Sequence, residues 1–296
     1  MKENISALIY FAGWRIVRWL PEEAAYKTFF KVADLLVKRN GKSVQRLRSN
    51  LARTQSNLTS LDLEILVVDA MRSYMRYWCD TFRFPDWSQQ RVVDTVSVTN
   101  EHLLMNAVAA RTGVIVALPH AGNWDHAGAY FCAKGVRLVT VAERLKPEKL
   151  FLKFLSYRQS MGMEVLPLDG RVLDTLTKRV NEGALVALVA DRDLSRSGIN
   201  IDFFGGPARM PAGPALLALK TKAPLITAFV SYTDDGIHIE FNTVVLPEAG
   251  DESEMVQEIV QTTAQLFESG IKKAPQDWHM LQRIWVDGDF KDRSSC

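Results

Sequence analysis

Short, β-branched apolar runs alternate with stretches of helical periodicity from about residue 98 onward. Such runs are typical of strands buried on both faces, and the stretches between them are long enough for the crossover helices that parallel strands require. The predicted strands span residues 114–118, 137–142, 164–168, 184–190 and 224–230, and the predicted helices span residues 125–134, 147–161, 172–181, 211–222 and 251–273. Residues 236–245 alternate apolar and polar side chains, which favours a half-exposed or edge strand. We therefore predict an α/β core over residues 96–296, with a central, mostly parallel, mixed sheet flanked by helices.

Residues 1–95 show helical periodicity without strand signals, and we predict that they form a helical N-terminal part packed against the α/β core. Their first helix carries one apolar stripe, which Pro21 ends and which consists of Ile5, Leu8, Ile9, Ala12, Ile16, Trp19 and Leu20. Trp14, Arg15 and Arg18 lie beside this stripe, and such side chains often settle at the lipid headgroup boundary. The helix therefore either packs on the core of the protein or contacts a membrane. No internal repeat or low-complexity linker is present, so residues 1–296 are interpreted as one domain.

Charge and composition exclude several classes of protein. The formal net charge of +2 gives no general signal for a nucleic-acid partner. No stretch reaches the roughly 18–20 uncharged apolar residues that a spanning helix needs. Lys2 is followed by Glu3 and no small-residue cleavage site follows the apolar stripe, so a signal peptide is not predicted. The three cysteines are widely separated and indicate neither a disulfide framework nor a zinc site. The protein is expected in the cytosol, either free or at a membrane surface.

The most informative segment follows the predicted strand 114–118 and reads Pro-His120-Ala-Gly-Asn-Trp-Asp125. Functional groups of open parallel sheets gather at the carboxyl ends of the strands, where His120 is predicted to lie. Asp125 falls in the first turn of the next predicted helix. From there its carboxylate can reach back to the imidazole, fix its tautomer and leave the other ring nitrogen as a base. A structural histidine is the simpler alternative, and zinc bound by His120, Asp125 and His126 is a weaker one because no third histidine is nearby.

These residues carry a family resemblance. The segment from His120 to Asp125 resembles the HxxxxD motif of glycerolipid and lipid A acyltransferases. Further blocks follow in the order of that family, at residues 141–147, 158–165, 191–194, 202–214 and 275–283. The residues of these blocks are most similar to those of the actinobacterial phosphatidylinositol mannoside acyltransferases. Where lipid A enzymes typically have Tyr and Gln, this chain has Glu143 and Arg192, which argues against a lipid A substrate.

The resemblance implies an enzyme that moves a fatty acyl group, expected to be palmitoyl, from acyl-CoA to a mannose hydroxyl of phosphatidylinositol mannoside. It implies a peripheral enzyme on the cytoplasmic face of the cell membrane, with acyl-CoA as substrate, no separate cofactor and no metal. His120 is the expected base and Asp125 its expected orienting partner. Asp191 and Asp193 follow the predicted strand 184–190, and either is expected to converge on His120. The expected substrate-binding residues are Glu143, Arg144, Arg158, Arg192 and Arg209.

Other interpretations stay open at this point. A surface ion pair explains Glu143 and Arg144 equally simply, and a solvated helix face explains Arg158. The acyl chain needs an apolar slot, for which the candidates are the aromatic residues of segment 74–87 together with Phe203, Phe204, Leu216 and Leu217. Core packing explains the same residues. The rival functions are a lipid A-type acyltransferase that uses acyl carrier protein, a non-catalytic lipid-binding protein and a metal-dependent hydrolase.

Overall fold

A mixed sheet forms the centre of the computed structural model, which describes residues 14–55, 57–143, 148–168, 172–193 and 197–287. Within these ranges the sheet has seven strands in the order β1-β9-β8-β2-β5-β3-β4, and every neighbouring pair except β8 and β9 is parallel. Strands β6 and β7 form a separate antiparallel hairpin. The strands are β1 (Val96–Thr99), β2 (Val114–Leu118), β3 (Leu138–Ala142), β4 (Glu164–Pro167), β5 (Leu185–Val189), β6 (Ile199–Phe203), β7 (Gly206–Met210), β8 (Leu225–Tyr232) and β9 (Ile237–Thr243). The predicted α/β class is confirmed.

The helices cover both faces of this sheet. Residues 14–19 form α1, and the helices after it are α2 (Glu22–Arg39), α3 (Lys42–Thr54), α4 (Ser60–Arg83), α5 (Gln89–Asp94), α6 (His102–Ala110), α7 (Trp124–Ala133), α8 (Glu148–Ser160), α9 (Val172–Asn181), α10 (Gly213–Thr221) and α11 (Glu252–Lys273). Alternate residues of β2 face opposite sides, as the period of two requires. Ile115 and Ala117 pack with α9, α10 and α11, whereas Val116 and Leu118 pack with α6 and α7.

The structure confirms the half-exposed strand predicted for residues 236–245 and excludes the alternative of an edge strand. This segment contains β9 and has the predicted half-exposed pattern, but it does not lie at an edge of the sheet. The edge strand is β1, whose Val96 pairs with Ile237. Only four residues long, β1 is too short to give a clear signal of alternation in the sequence.

The hairpin β6–β7 was not predicted either, and helix α11 supports it. Gln261 donates from Nε2 to the carbonyl oxygen of Asp202 and accepts from its backbone N–H, both at 2.9 Å. Gln257 donates to the carbonyl oxygen of Asn200 at 2.6 Å. The helix side chains therefore take the place of a neighbouring strand along the open edge of β6.

The N-terminal part is helical through residue 94 wherever it is described, and α4 packs along α2. Residues 1–13 lie outside the described residues, and with them the first four residues of the predicted apolar stripe. Trp14 is buried and donates from Nε1 to the carbonyl oxygen of Phe82 at 2.9 Å. By contrast, the stripe residues Ile16 and Trp19 are 56% and 74% exposed, so they do not pack on the core. None of the described helices is long and apolar enough to cross a membrane.

Candidate active site

The loop that carries His120 joins the end of β2 to the start of α7 and is held on both sides. Gly122 has a positive φ of 56°, and its N–H donates to the carbonyl oxygen of Asp277 at 2.8 Å. A Cβ atom at Gly122 would lie 2.5 Å from the carbonyl oxygen of Val230, so only glycine fits this close approach. The N–H of His279 donates to the carbonyl oxygen of His120 at 2.7 Å. The backbone around His120 is therefore fixed by the chain segment near residue 278.

The imidazole of His120 pairs with Asp191. Nδ1 of His120 lies 2.6 Å from Oδ1 of Asp191, and the backbone N–H of His120 donates to Oδ2 at 3.0 Å. Since a carboxylate accepts, Nδ1 carries the proton and Nε2 keeps its lone pair. The His120 side chain is 40% exposed while Asp191 is completely buried. The arrangement leaves Nε2 as the nitrogen that can take a proton from a bound hydroxyl.

Asp191 stays ionised in spite of its burial. Burial raises the pKa of this carboxyl, but the positive charge that His120 carries when protonated and the hydrogen bonds from His120 and Trp278 together hold the pKa below its ordinary value. Nε1 of Trp278 donates to Oδ2 at 3.0 Å. A fixed negative charge behind the ring stabilises the imidazolium that forms when Nε2 accepts a proton.

The predicted pairing of His120 with Asp125 is wrong. Among the described residues, Asp125 accepts instead from Tyr77 Oη at 2.9 Å and from Arg158 Nε at 2.8 Å. The register of the sheet explains the difference, because Leu118 pairs with Val189 and the residues two positions further along are His120 and Asp191. Asp125 lies in the first turn of α7 and is 2% exposed, inside the space between α4 and α8.

The remaining predicted residues are distributed over the same edge of the sheet. Glu143 directly follows β3 and is exposed, two strands from β2 and therefore about 10 Å across the sheet. Asp193 is placed with the hairpin rather than with the His120 ring, since its N–H donates to the carbonyl oxygen of Arg209 at 2.8 Å. Arg192 is half-buried beside it, and Arg209 donates from Nε to Asn200 Oδ1 at 2.8 Å. Arg144 lies outside the described residues.

A second polar cluster beneath the loop was missed by the sequence analysis. Ser73 donates to Asp277 Oδ1 at 2.6 Å, and its Oγ lies 2.9 Å from Nε2 of His279. Because the one hydroxyl proton goes to the carboxylate, Nε2 of His279 must donate to Ser73, and His279 is not its base. Burial lowers the pKa of His279 to about 3, so this ring is neutral. The cluster therefore supports the backbone of the 277–279 segment and is not a serine nucleophile.

Asp80 is a further buried carboxyl that sequence reasoning did not find. It accepts from Tyr26 Oη at 2.6 Å, from Tyr232 Oη at 3.1 Å and from Asn123 Nδ2 at 3.2 Å. The other side of the Asn123 amide accepts from the N–H of His126 and so caps α7. Burial raises the pKa of Asp80. Asp80 thus fixes the helix that starts directly after the His120 loop.

An apolar cavity of about 70 Å³ lies between α7 and the sheet. Trp124 and Asp125 are among its lining residues, and the Trp124 ring lies edge-on to the His120 ring at 5.6 Å. The predicted slot residues are not part of it: Phe203 packs on Trp278 and Trp285, and Leu217 is buried in the core of the opposite face. The cavity was not visible in the sequence because its walls come from separate strands.

No group of three or more histidine, cysteine, aspartate or glutamate residues within the described ranges is arranged to hold a metal ion. His126, one of the three residues considered for zinc, places its Nε2 at 3.0 Å from the carbonyl oxygen of Val92. The described polar groups therefore suit proton transfer and hydrogen bonding.

A half-exposed histidine, a buried carboxylate behind it and an apolar cavity beside it suit acyl transfer to a hydroxyl, and this chain is an acyltransferase. It belongs to the family described as bacterial lipid A biosynthesis acyltransferase, whose model matches residues 2–287. It is 39% identical over 292 residues to a phosphatidylinositol mannoside acyltransferase of Mycolicibacterium smegmatis, covering 98% of this chain and 94% of that protein. Proteins of the same name from Mycobacterium tuberculosis are 39% identical over 283 residues, covering 94% of this chain and 87% of theirs. The predicted family and enzyme class are confirmed.

Removal of the Arg158 guanidinium is expected to destabilise the fold strongly. In an Arg158→Met variant the stem still packs, but Asp125 keeps a buried charge without its partner, and we expect the free energy of unfolding to fall by about 3–5 kcal/mol. Arg48→Met is the matched control, because the Arg48–Glu64 pair lies at the surface and is expected to contribute only about 0–1 kcal/mol. Urea denaturation measures the free energy of unfolding of both variants. Equal decreases of this free energy in the two variants would contradict a buried Asp125–Arg158 pair.

Burial of His126 is expected to make stability depend on pH. Burial lowers the pKa of His126 to about 4 from an ordinary value near 6.5. As the pH falls from about 6.5 to about 4, only the unfolded chain takes up a proton at this position, so the folding equilibrium constant drops about tenfold per pH unit. Above this interval the residue has no such effect. In urea denaturation, the free energy of unfolding of a His126→Gln variant should therefore depend less steeply on pH, by this amount. Equal slopes of the free energy of unfolding against pH in the variant and the wild type would contradict the expectation.

Proposed function

We propose that the protein transfers a fatty acyl group, palmitoyl in particular, from acyl-CoA to a mannose hydroxyl of phosphatidylinositol mannoside, with His120 as the general base. The observation that carries the proposal is the contact between Nδ1 of His120 and the buried Asp191, beside an apolar cavity that Trp124 lines. The acceptor is taken from relatives that are 39% identical over nearly the whole chain. A hydroxyl acceptor and an acyl donor are the two substrates that such a base and such a cavity accommodate.

The reaction proceeds by direct attack. Nε2 of His120 takes the proton of the sugar hydroxyl as its oxygen attacks the thioester carbonyl carbon, and a C–O bond forms. The tetrahedral intermediate then collapses, the C–S bond breaks, and the thiolate of coenzyme A leaves and takes the proton back from His120. The oxyanion needs hydrogen-bond donors, and backbone N–H groups at the start of α7, directly after the His120 loop, are proposed to supply them. Asp191 acts through His120 by fixing the tautomer and stabilising the imidazolium.

The substrate-binding residues are proposed on the same edge of the sheet. Glu143 is exposed next to β3 and binds sugar hydroxyls of the acceptor. Arg192 follows β5, and Arg209 lies on β7. At these positions their charges meet phosphate groups of the donor or the acceptor. Arg144 belongs to the same group by its position after Glu143. Arg158 is bound to Asp125 and is therefore proposed to hold the start of α7 rather than a substrate phosphate.

The exposed face of α1 supports a location on the inner leaflet of the cell membrane. Trp19 and Ile16 present apolar side chains to solvent on the same short helix. The guanidinium of Arg15 lies 5.4 Å from the ring of Trp19, which places a cation among them. Tryptophan and arginine on one helix face are typical of segments that lie in the headgroup region. We propose peripheral attachment through this face.

The test is a comparison of two donors and two acceptors. Purified protein is incubated with palmitoyl-CoA or palmitoyl-acyl carrier protein, and with phosphatidylinositol mannoside or a lipid A precursor, and the lipids are analysed by mass spectrometry. We expect palmitoylated phosphatidylinositol mannoside from palmitoyl-CoA. Acylation of the lipid A precursor from the carrier protein would favour the lipid A-type function that the family description suggests. Lipid binding without any acylated product would favour a non-catalytic lipid-binding protein.

A further inference from the structure

The apolar cavity beside His120 runs down the sheet in tiers. Alternate residues of each strand point toward α7, and the strand register sets their levels: Leu118 is level with Val189, and Leu138 with Leu185. Val189 and Leu185 are four residues apart on β5, so the lining residues extend over about 13 Å along the strand. Ala187 is level with Val116 in the middle tier, Ala228 is level with Leu118 in the upper tier, and the small side chains of both alanines leave space open. The cavity therefore has Trp124 at the end near His120, walls of strand residues and a floor near Leu138.

The free space is small for a fatty acyl chain. The cavity measures about 70 Å³. An apolar cavity of about 150 Å³ holds a single benzene molecule. A long acyl chain therefore fits only after a lining side chain has moved. The distance that this side chain can move limits how much of the acyl chain is buried.

Met163 occupies the floor of this cavity. It directly precedes Glu164, which pairs with Val139, so Met163 lies level with Leu138 in the deepest tier. Its side chain faces Gly128 on α7 so closely that a Cβ atom at residue 128 would lie 2.5 Å from the Cε of Met163. The same Cβ would lie 3.5 Å from Cδ1 of Leu138. The thioether methyl thus fills the place where residue 128 has no side chain.

We propose that Met163, packed against Gly128, sets the length of the acyl chain that this protein accepts. The inference rests on the proposed function, because the cavity is taken to hold the acyl group of the donor. Methionine has three rotatable side-chain bonds and adapts to irregular space, so its methyl group yields to a chain of suitable length and blocks a longer one. Each methylene that enters the cavity raises kcat/KM about fourfold, and the gain stops where the chain meets Met163.

The contact between Met163 and Gly128 suggests two substitutions with opposite expected effects on the preferred acyl chain length. Met163→Ala removes the Cγ, Sδ and Cε atoms from the floor and should extend the accepted chain by about two to four carbons. Gly128→Ala adds a Cβ where the Met163 methyl now lies, and the flexible end of Met163 must then move into the cavity. This variant should prefer shorter chains. In the double variant Met163→Ala/Gly128→Ala, the added Cβ at residue 128 no longer meets the Met163 side chain. The preferred acyl chain length should therefore return toward that of the wild type. Met163→Leu, a nearly volume-conserving change, is the matched control.

The experiment is a competition between stearoyl-CoA and myristoyl-CoA for phosphatidylinositol mannoside in one reaction, read by mass spectrometry of the lipid products. Because both donors meet the same enzyme, the product ratio does not depend on how much of a variant is folded. We expect the ratio of long to short product to rise at least about tenfold in Met163→Ala and to fall about tenfold in Gly128→Ala. In Met163→Leu and in the double variant it should stay within about threefold of wild type.

The outcomes separate the two levels of the proposal. Acylated lipid with an unchanged ratio in all variants overturns the role of Met163 and leaves the proposed function intact. Loss of both products in Met163→Ala, with an active wild type, also overturns it, because a change at the floor must leave shorter donors usable. If wild-type protein acylates no lipid with either donor, the proposed function itself fails.

Discussion

Replacement of His120 by alanine is expected to lower kcat for acyl transfer by about 10²- to 10⁴-fold. The variant loses the nitrogen that takes the proton of the acceptor hydroxyl, and the described residues beside it offer no second histidine whose ring is free to do so: His279 is neutral and donates to Ser73. The His120 side chain is 40% exposed, so its removal opens no large void in the core. KM for acyl-CoA should change little, because the ring does not line the apolar cavity.

The control for this variant is His102→Ala. His102 is exposed at the start of α6, shortly after β1, which is the edge strand three positions from β2 in the sheet. Initial rates of thiol release with acceptor present measure both variants at equal concentrations of folded protein. A loss of less than about tenfold in His120→Ala would show that general-base catalysis does not pass through this residue.

The substitution Asp191→Asn is expected to lower kcat by nearly as much, again about 10²- to 10⁴-fold. An asparagine presents an amide N–H to Nδ1 as readily as an oxygen, so the proton on the ring is no longer held on Nδ1 and Nε2 no longer keeps its lone pair. The buried negative charge behind the imidazolium is lost as well. Asp191 is a positioning residue, since it touches His120 and not the substrate. KM for both substrates should therefore stay within about threefold while kcat falls.

Asp125→Asn provides the comparison that separates the two carboxylates. Its partners are Tyr77 and Arg158, so we expect the variant to lower thermal stability more than Asp191→Asn does, and to lower kcat less. Asp191→Glu should restore part of the rate that Asp191→Asn loses, because the carboxylate returns. The opposite order of kcat values in the two asparagine variants would restore the pairing of Asp125 with His120.

The α/β core was predictable because its central strands are buried on both sides. The segments 114–118 and 184–190 read as continuous apolar runs, and the structure has β2 and β5 there, paired in parallel. Helices of the core also carry clear signals at their ends, such as Asp251, whose side chain caps α11. The hairpin β6–β7 and the edge strand β1 gave weaker signals. Their positions depend on contacts with α11 and β9, which are distant in the sequence.

The candidate site was predictable only in part, for a physical reason. His120 could be placed at the end of a strand, with Asp191 and Asp193 after a second strand, but the choice among Asp125, Asp191 and Asp193 depends on the register of two parallel strands, which the sequence does not reveal. The short spacing between His120 and Asp125 favoured the wrong carboxylate. Trp278 and Tyr77 complete the two carboxylate sites from distant parts of the chain. No local pattern connects either residue to the histidine motif.

The most direct measurement of the central claim is the stoichiometry of one reaction. Wild-type protein is incubated with palmitoyl-CoA and phosphatidylinositol mannoside, and the free thiol released is compared with the amount of lipid whose mass has increased by one palmitoyl group. The account predicts equal amounts of both products, formed only when the acceptor is present. Thiol release matched by free palmitate, or no release with acceptor present, would contradict it.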